Sequence, residues 1–141
     1  MPTTAFSSQG AELKVTISAT PTVIPNIKNL SLPSVVRTIA NITNLGSTGN
    51  FAEKKPLMND TDTLSFSAIW DNTNAAHDYL MDQSLLATAV LDTFLFTSPD
   101  TGAATLSFTG YVTKCKGVVS TNEIMMLEVE VTVTGALVYV Q

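Results

Sequence analysis

The sequence has few of the residues with which proteins bind metals, form disulfides or catalyse reactions. Its 141 residues include one cysteine, one histidine and one tryptophan. Because Cys115 is alone, it excludes an internal disulfide and a cysteine-based zinc site, so the fold does not depend on an oxidising compartment. No nucleophile, base and orienting group form a recognisable set, and we therefore expect no catalytic residues, no metal and no cofactor.

Charge is also scarce. Charged residues make up 13% of the chain, and acidic residues outnumber basic ones by 12 to 7, which gives a net charge of −5. Residues 56–113 contain seven aspartates and no lysine or arginine. Proteins that read nucleic acids neutralise phosphates with clustered basic residues, so we expect this chain to repel DNA rather than bind it.

Long apolar runs and targeting signals are missing as well. No segment approaches the roughly 18 apolar residues of a membrane-spanning helix. The N-terminus lacks the basic start and apolar centre of a signal peptide. We expect a protein without a membrane partner that is made and kept in the cytoplasm.

The sequence is instead rich in hydroxyl residues and in segments where apolar and polar residues alternate. Serine and threonine fill 33 positions, 21 of them threonine, and β-branched side chains favour strands. The length suits one domain, so we assign residues 1–10 to a flexible arm and residues 11–141 to a β domain. Alternation or apolar composition predicts strands near residues 13–17, 34–44, 63–70, 90–97, 106–113 and 124–140.

Two segments depart from this pattern. Residues 75–87 place Ala76, Tyr79, Leu80, Leu86 and Ala87 at helical spacing. They follow several N-cap candidates in residues 71–74, and together these features predict the one helix. Residues 44–62 read as an unusually long connection, which indicates a functional loop. Three prolines at positions 21, 25 and 33 also predict a connection between the first two strands.

The last predicted strand has one apolar face and one polar face. Its odd positions from 127 to 139 are apolar, whereas Glu128 and Glu130 share the opposite face with Thr132 and Thr134. Long alternating strands with one helix predict a β-sandwich or partly open barrel with the helix packed against it. Such a monomer leaves strand edges unpaired, and few lysines protect them, so the sequence favours assembly with other chains.

The order of these segments resembles the tail tube proteins of long, non-contractile-tailed phages. The resemblance spans nearly the whole chain and depends on the ordered set rather than on any one motif. Its pieces are the short N-terminal arm, Ile24-Pro25-Asn26-Ile27, the loop ending in Pro56-Leu57-Met58-Asn59-Asp60, and the runs LSFSAIWDNTNAAHDYL, FLFTSPDTGAATLSFTGYVTK and VEVTVTGAL.

The resemblance implies a structural virion protein without enzymatic activity. Subunits would close into hexameric rings, join their inner sheets into one barrel around a lumen, and stack into a tube for DNA ejection. Implied partners are further copies, a tape-measure protein, a tail terminator and DNA that passes without specific binding, in a virion tail assembled in the host cytoplasm.

Site residues follow from the resemblance and the strand pattern together. We expect Glu128 and Glu130 to face an acidic lumen, although their face would equally suit an outer solvated surface. We expect the arm and the long loop to make the subunit and ring contacts, through Phe6, Phe51, Lys54, Lys55 and Leu57.

Other interpretations stay open at this stage. A tail terminator or a contractile-type inner tube protein is a near alternative. A monomeric β-sandwich binding module would display aromatic side chains on a groove, whereas Trp70 lies on the predicted core face. His77 and Cys115 have no catalytic partners nearby in sequence, and we expect both to be structural.

Overall fold

The computed structural model describes residues 10–43, 49, 52–99 and 104–141. Within these residues the chain forms nine strands and one helix, and about 60% of them lie in strands. The elements are β1 (Glu12–Ile17), β2 (Thr20–Val23), β3 (Ile27–Ser31), β4 (Val35–Asn41), β5 (Lys54–Thr61), β6 (Thr63–Ile69), α1 (Ala75–Leu85), β7 (Asp92–Thr97), β8 (Thr105–Val118) and β9 (Met126–Val140).

Seven strands form one antiparallel sheet in the order β2-β1-β7-β8-β9-β6-β3, and β4 and β5 form a separate hairpin. The sheet curls into a half-barrel, which confirms the predicted class of a mainly β, partly open barrel with a helix. Curling brings the apolar face of each strand inward, where side chains from distant parts of the sheet meet.

The core fills the concave side of this sheet. Alternate positions of β1, β6 and β9 are buried, as their sequence pattern predicts. The rings of Phe94 and Phe108 stack at the centre with 5.7 Å between their centroids. The largest fully buried side chains are Phe94, Leu13, Leu64, Leu80, Leu127, His77, Val15, Val129 and Val131.

The helix begins where Asn74 caps it. The Asn74 side chain accepts hydrogen bonds from the backbone N–H groups of Ala76 and His77, at 2.9 and 3.4 Å, and so satisfies two donors of the first turn. Ala76 and Leu80 are buried as predicted, but Leu86 and Ala87 lie beyond the last helical residue and are exposed. Across the described ranges, no helix is both long and apolar enough to cross a membrane.

Two strands were missed in the segment predicted to be a connection. β2 contains Pro21, and β3 follows Pro25 and Asn26, which has a positive φ of 66°. Both strands lie at the edges of the sheet. A proline on an edge strand can leave its missing N–H on the unpaired side, so proline did not prevent pairing here.

The predicted long connection across residues 44–62 is wrong for residues 54–61. These residues form β5, which pairs with β4 from Val35↔Thr61 to Asn41↔Lys54. Almost every residue of this hairpin is exposed on both faces. Its sequence therefore lacks the alternation by which a half-buried strand is recognised.

The pairing of β8 with β9 contains two irregularities. One extra residue lies in β8 between Val112 and Lys114, and a second shift lies opposite Phe108, beside Gly135 with its φ of 82°. The prediction that the odd positions of β9 all face the core is wrong at Tyr139, which is 65% exposed, because β9 extends there past the covered part of the sheet.

Gly117 of β8 lies directly under the only tryptophan. A Cβ atom at this position would lie 2.7 Å from the Trp70 ring, so any larger residue would have to displace the ring. Trp70 itself follows the end of β6, and its backbone N–H donates to Met125 at 3.0 Å. The ring therefore packs against the end of the long β8–β9 pair.

Replacing Phe94 with alanine tests the position of the core. We expect Phe94→Ala to lower the free energy of unfolding by about 3–5 kcal/mol, because it removes a fully buried ring and its stacking contact with Phe108. Urea denaturation followed by circular dichroism measures the change. Val138→Ala, at an exposed position, is the matched control and should change it by less than about 0.5 kcal/mol. Equal losses would place the core elsewhere.

Candidate functional site

His77 is fully buried and holds two segments together. Its Nδ1 accepts the backbone N–H of Asp71 at 3.1 Å, and its Nε2 lies 3.0 Å from the carbonyl oxygen of Pro25. Since one ring nitrogen accepts and the other must donate, the ring is a neutral imidazole with its proton on Nε2. Both nitrogens are used within the fold, which gives His77 a structural role.

Asp92 is, with His77, a buried polar residue of the part of the core that the structure describes. The Tyr79 hydroxyl donates to its Oδ1 at 2.6 Å, whereas Oδ2 has no hydrogen-bond partner in the described parts of the chain. Burial raises the pKa of Asp92, and the hydrogen bond from Tyr79 partly offsets this effect. Burial and the same hydrogen bond raise the pKa of Tyr79 to about 12. The pair joins α1 to β7.

Cys115 is partly buried, and the acidic residues of the described ranges do not gather around it. Burial raises the pKa of the Cys115 thiol to about 11, so it stays protonated and weakly nucleophilic at neutral pH. Over residues 10–43, 49, 52–99 and 104–141, no three histidine, cysteine or carboxylate side chains cluster as metal ligands. The described residues also form three surface features.

The first such surface is the outward face of the β8-β9-β6-β3 part of the sheet. Glu128 and Glu130 are exposed on it, as the strand pattern predicts. Across β6, Glu128 pairs with Ser67 and Glu130 with Ser65. Across β8, Glu128 pairs with Lys116 and Glu130 with Lys114. Each glutamate thus lies between a serine and a lysine.

The two lysines were missed from the sequence because the strand was predicted to end at residue 113, whereas β8 continues to Val118 and contains a bulge. Val112 pairs with Val131 on the buried side, and simple alternation from Val112 would turn Lys114 inward. The extra residue shifts the alternation by one, so Lys114 and Lys116 face outward while Cys115 faces the core. One sequence signal for this arrangement was available. The two lysines are two residues apart, and so are the two glutamates.

This outward face is therefore not uniformly acidic. Two positive and two negative side chains occupy opposite positions on neighbouring strands, where Cβ atoms lie about 4.5–5.5 Å apart. In the part of the chain described, the one ion pair within 4.0 Å joins Lys14 and Glu12. Lys114 and Lys116 thus lie opposite the glutamates in the strand register, but they form no salt bridges with them.

The second surface is the β4–β5 hairpin, which carries three of the predicted contact residues. Lys54, Lys55 and Leu57 are all exposed on β5. Of the hairpin's large apolar side chains, Val35, Val36, Ile39, Leu57 and Met58 are also exposed. The base of the hairpin touches the sheet where the Thr61 hydroxyl donates to the carbonyl oxygen of Val133 at 2.9 Å. The remaining predicted contacts, Phe6 and Phe51, lie outside the described residues.

The third feature is the set of open strand edges. β2 and β3 are the edge strands of the large sheet. β8 pairs with β7 only as far as Gly110 and continues to Val118 without a partner on that side among the described residues. β2 contains Pro21, and β5 contains Pro56, which restrict pairing along those edges. Neither β3 nor residues 111–118 of β8 contains proline. These two edges flank the same four-stranded, outwardly polar part of the sheet.

The comparison with solved structures identifies the fold as that of phage-type tail subunits. A chain from the C6-symmetric tail of an empty gene transfer agent particle matches with a TM-score of 0.76 and 17% identity, over 97% of this chain and 100% of the other. A chain from the SPP1 tail tube matches with a TM-score of 0.74 and 8% identity, over 96% of this chain and 78% of the other.

A chain from the six-fold symmetrised baseplate of the anti-feeding prophage matches with a TM-score of 0.81 and 9% identity, over 99% of this chain and 97% of the other. No protein-family model matches the sequence, and neither does any curated protein. The resemblance found from the sequence is thus confirmed by fold, at identities where only the fold is shared.

The buried carboxyl group makes stability depend on pH. Asp92 holds its proton more firmly in the folded chain than in the unfolded one, so its contribution to stability is present below the usual pKa of 3.8 and is lost as the pH rises through the raised value. We expect Asp92→Asn to gain stability relative to the parent between pH 3 and pH 7, measured as urea midpoints.

Tyr79→Phe is the companion variant for this prediction. It removes the hydrogen bond that lowers the pKa of Asp92, so the loss of stability with rising pH should become steeper. Parallel pH profiles for the parent and Asp92→Asn would contradict the prediction.

Proposed function

We propose that this chain is a structural subunit of a phage-type tail tube, which assembles with copies of itself into stacked hexameric rings that conduct DNA. The observation that carries the proposal is the pair of open edges, β3 and residues 111–118 of β8, on either side of one four-stranded sheet. The fold shared with chains of the gene transfer agent tail and the SPP1 tail tube supports it.

The ring follows from joining these edges between copies. If β3 of one subunit pairs with residues 111–118 of β8 in the next, the contact is head-to-tail, and such a contact either closes into a ring or continues as a filament. Closure of the ring removes both edges by making the four-stranded sheets into one continuous barrel. The proline-containing edges of β2 and β5 stay outside this barrel.

In this arrangement the outward face of the four strands lines the lumen. Glu128 and Glu130 belong to it because the opposite face of β9 is filled by the core. Lys114 and Lys116 line it as well, so each subunit supplies equal numbers of these positive and negative side chains. The lumen face is then polar and locally neutral rather than acidic. Phosphates gain no net attraction from it, and DNA can move along it.

The hairpin and the arm provide contacts between subunits. Exposed apolar side chains on both faces of a projecting hairpin are unfavourable in water, and burial against a second copy stabilises them. We assign this role to Lys54, Lys55 and Leu57, and we retain Phe6 and Phe51 as further contacts between rings. The remaining partners are a tape-measure protein in the lumen, a tail terminator and DNA in transit, in a virion tail assembled in the host cytoplasm.

A second candidate function is the inner tube of a contractile-type system. The observation that favours it is the TM-score of 0.81 to a chain of the anti-feeding prophage baseplate. Both candidates use the same ring and lumen. They differ in whether the outer surface of the tube binds a sheath, which co-purification from particles would reveal.

Self-assembly is the direct test of the proposal. We expect the purified protein at high concentration to form hollow tubes or six-fold rings by negative-stain electron microscopy, with light scattering giving at least the mass of six 15.0 kDa chains. Single rings that never stack would favour the tail terminator. A protein that stays monomeric even in the presence of preformed tail initiators would contradict the proposal and favour the binding module.

The charge of the lumen face is tested with a reversal variant. Glu128→Lys with Glu130→Lys leaves four lysines and no glutamate at the paired positions. We expect tubes of this variant to retain short linear duplex DNA in co-sedimentation, increasingly at low salt, because released counterions drive such binding. Parent tubes should retain none.

Two controls make the test specific. Exchanging all four charges, with Lys114→Glu and Lys116→Glu added, restores neutrality and should restore the parent behaviour. Closed circular DNA cannot enter a lumen, so it should not co-sediment with the reversal variant. Equal retention of circular and linear DNA would place these glutamates on the outer surface of the tube.

A further inference from the structure

The four strands of the outwardly polar sheet all reach one common end. Val118, the last residue of β8, pairs with Met126 of β9, and Met126 pairs with Ile69 of β6. The first residue of β3, Ile27, pairs with Ala68, directly before Ile69. The two open edges, β3 and residues 111–118 of β8, are therefore separated at this end by three strand spacings, or about 14 Å along the sheet.

Trp70 connects the β8 edge to the strands beside it. The residue follows β6, and its ring lies against Gly117, where a Cβ atom would come within 2.7 Å of it. Its backbone N–H donates to the carbonyl oxygen of Met125, just before β9, at 3.0 Å. Trp70 thus contacts β8 from the end of β6, across the start of β9.

His77 extends this series of contacts to β3. Its Nδ1 accepts the N–H of Asp71, the residue after the tryptophan, at 3.1 Å, and its Nε2 donates to the carbonyl oxygen of Pro25 at 3.0 Å. The carbonyl oxygen of Asn26 accepts the N–H of Ile69 at 2.9 Å. Pro25 and Asn26 directly precede β3, so the imidazole holds the beginning of that strand.

These contacts form one continuous link between the two open edges. We call it the edge bridge, and its members are Gly117, Trp70, Asp71, His77 and Pro25. His77 is fully buried, and Trp70 packs against the core. A hydrogen bond at a buried site is costly to break, because the group left behind has neither a partner nor water. The bridge therefore opposes independent movement of the two edges at this end of the sheet.

We propose that the edge bridge fixes the angle between the two open edges and thereby the number of subunits in a closed ring, with His77 as its positioning residue. This inference rests on the proposed function, in which β3 of one copy joins residues 111–118 of β8 in the next. In a head-to-tail assembly, the rotation between neighbouring copies decides whether the contact closes into a ring or continues as a filament. That rotation depends on how the two edges of one copy are oriented.

The bridge can be altered without removing the groups that join one copy to the next. Gly117 meets Trp70 on the side of β8 that faces the core, as Cys115 does, and His77 lies inside the core. Edges of a sheet pair through their backbone N–H and C=O groups. Substitutions at Gly117 and His77 leave these groups of both edges in place, so an effect on the ring would come from the angle.

His77→Asn tests the β3 side of the bridge. The asparagine oxygen can still accept the N–H of Asp71, but the shorter side chain does not reach Pro25. We expect the ratio of six-fold rings to open or differently sized assemblies to fall about tenfold or more, because loss of one buried hydrogen bond shifts an equilibrium by about that factor. Class averages from electron microscopy and native mass spectrometry of rings measure the ratio.

Tyr79→Phe is the matched control. It removes another buried hydrogen bond of α1, the one from Tyr79 to Asp92 of β7, outside the edge bridge. We expect this variant to keep the parent ratio of six-fold rings within about twofold, although its urea midpoint also changes. An equal shift of the ratio in Tyr79→Phe would assign the effect to general loss of stability and overturn the proposal.

Gly117→Ala tests the β8 side independently. The added methyl group displaces the Trp70 ring, so we expect the same shift away from six-fold rings. Adding Trp70→Phe supplies a smaller ring, which leaves room for the methyl group, and should return the ratio towards the parent value. A shift in Gly117→Ala that this second substitution leaves unchanged would contradict a role of the Trp70 contact.

Hydrogen exchange of the dilute monomer tests the bridge without assembly. In His77→Asn, the amides of β3 should exchange about tenfold faster than in the parent, because local opening there becomes less costly. The amides of β1 and β7 should be unchanged. Unchanged exchange in β3, or six-fold rings retained in both His77→Asn and Gly117→Ala, would overturn the bridge while the tube stands. A parent protein that forms no rings or tubes under any condition would instead remove the proposed function, and this inference with it.

Discussion

The antiparallel pairing of β8 with β9 is the constraint around which the molecule is organised. These are the two longest strands, and their register places apolar side chains on the inner face and a charged row on the outer face. β6 and β3 extend the sheet on one side, and β7, β1 and β2 extend it on the other. A shift of one residue in this pairing would turn the glutamates of β9 into the core.

The bulge between Val112 and Lys114 shows how one extra residue connects core and surface. Before it, the even residues of β8 pack inward, and after it the odd ones do, so Cys115 reaches the core and the two lysines reach the outer face. The same stretch of β8 continues beyond β7 and leaves an open edge. The outward lysines and the unpaired edge of β8 therefore belong to the same stretch of the strand.

The sequence predicted most accurately the elements that have one buried face. β1, β6 and most of β9 alternate cleanly, and the helix cap at Asn74 was among the predicted N-cap candidates. The hairpin strand β5 could not be predicted in the same way, because exposure on both faces removes the periodic signal. β2 and β3 were missed because proline was taken as a break, although edge strands tolerate it.

Only part of the candidate site could be predicted from the sequence, and the reason is similar. Glu128 and Glu130 were found because β9 alternates without interruption around them, whereas the lysines opposite them depend on a bulge and a pairing register that involve distant residues.

The packing of Trp70 against Gly117 has a practical consequence. The chain has one indole, and it touches the strand segment whose edge is open. Its emission maximum and quenching therefore report the environment of that segment without any attached dye. Folding of the β8–β9 pair, and any contact made at its open edge, can both be followed by the intrinsic fluorescence of a single side chain.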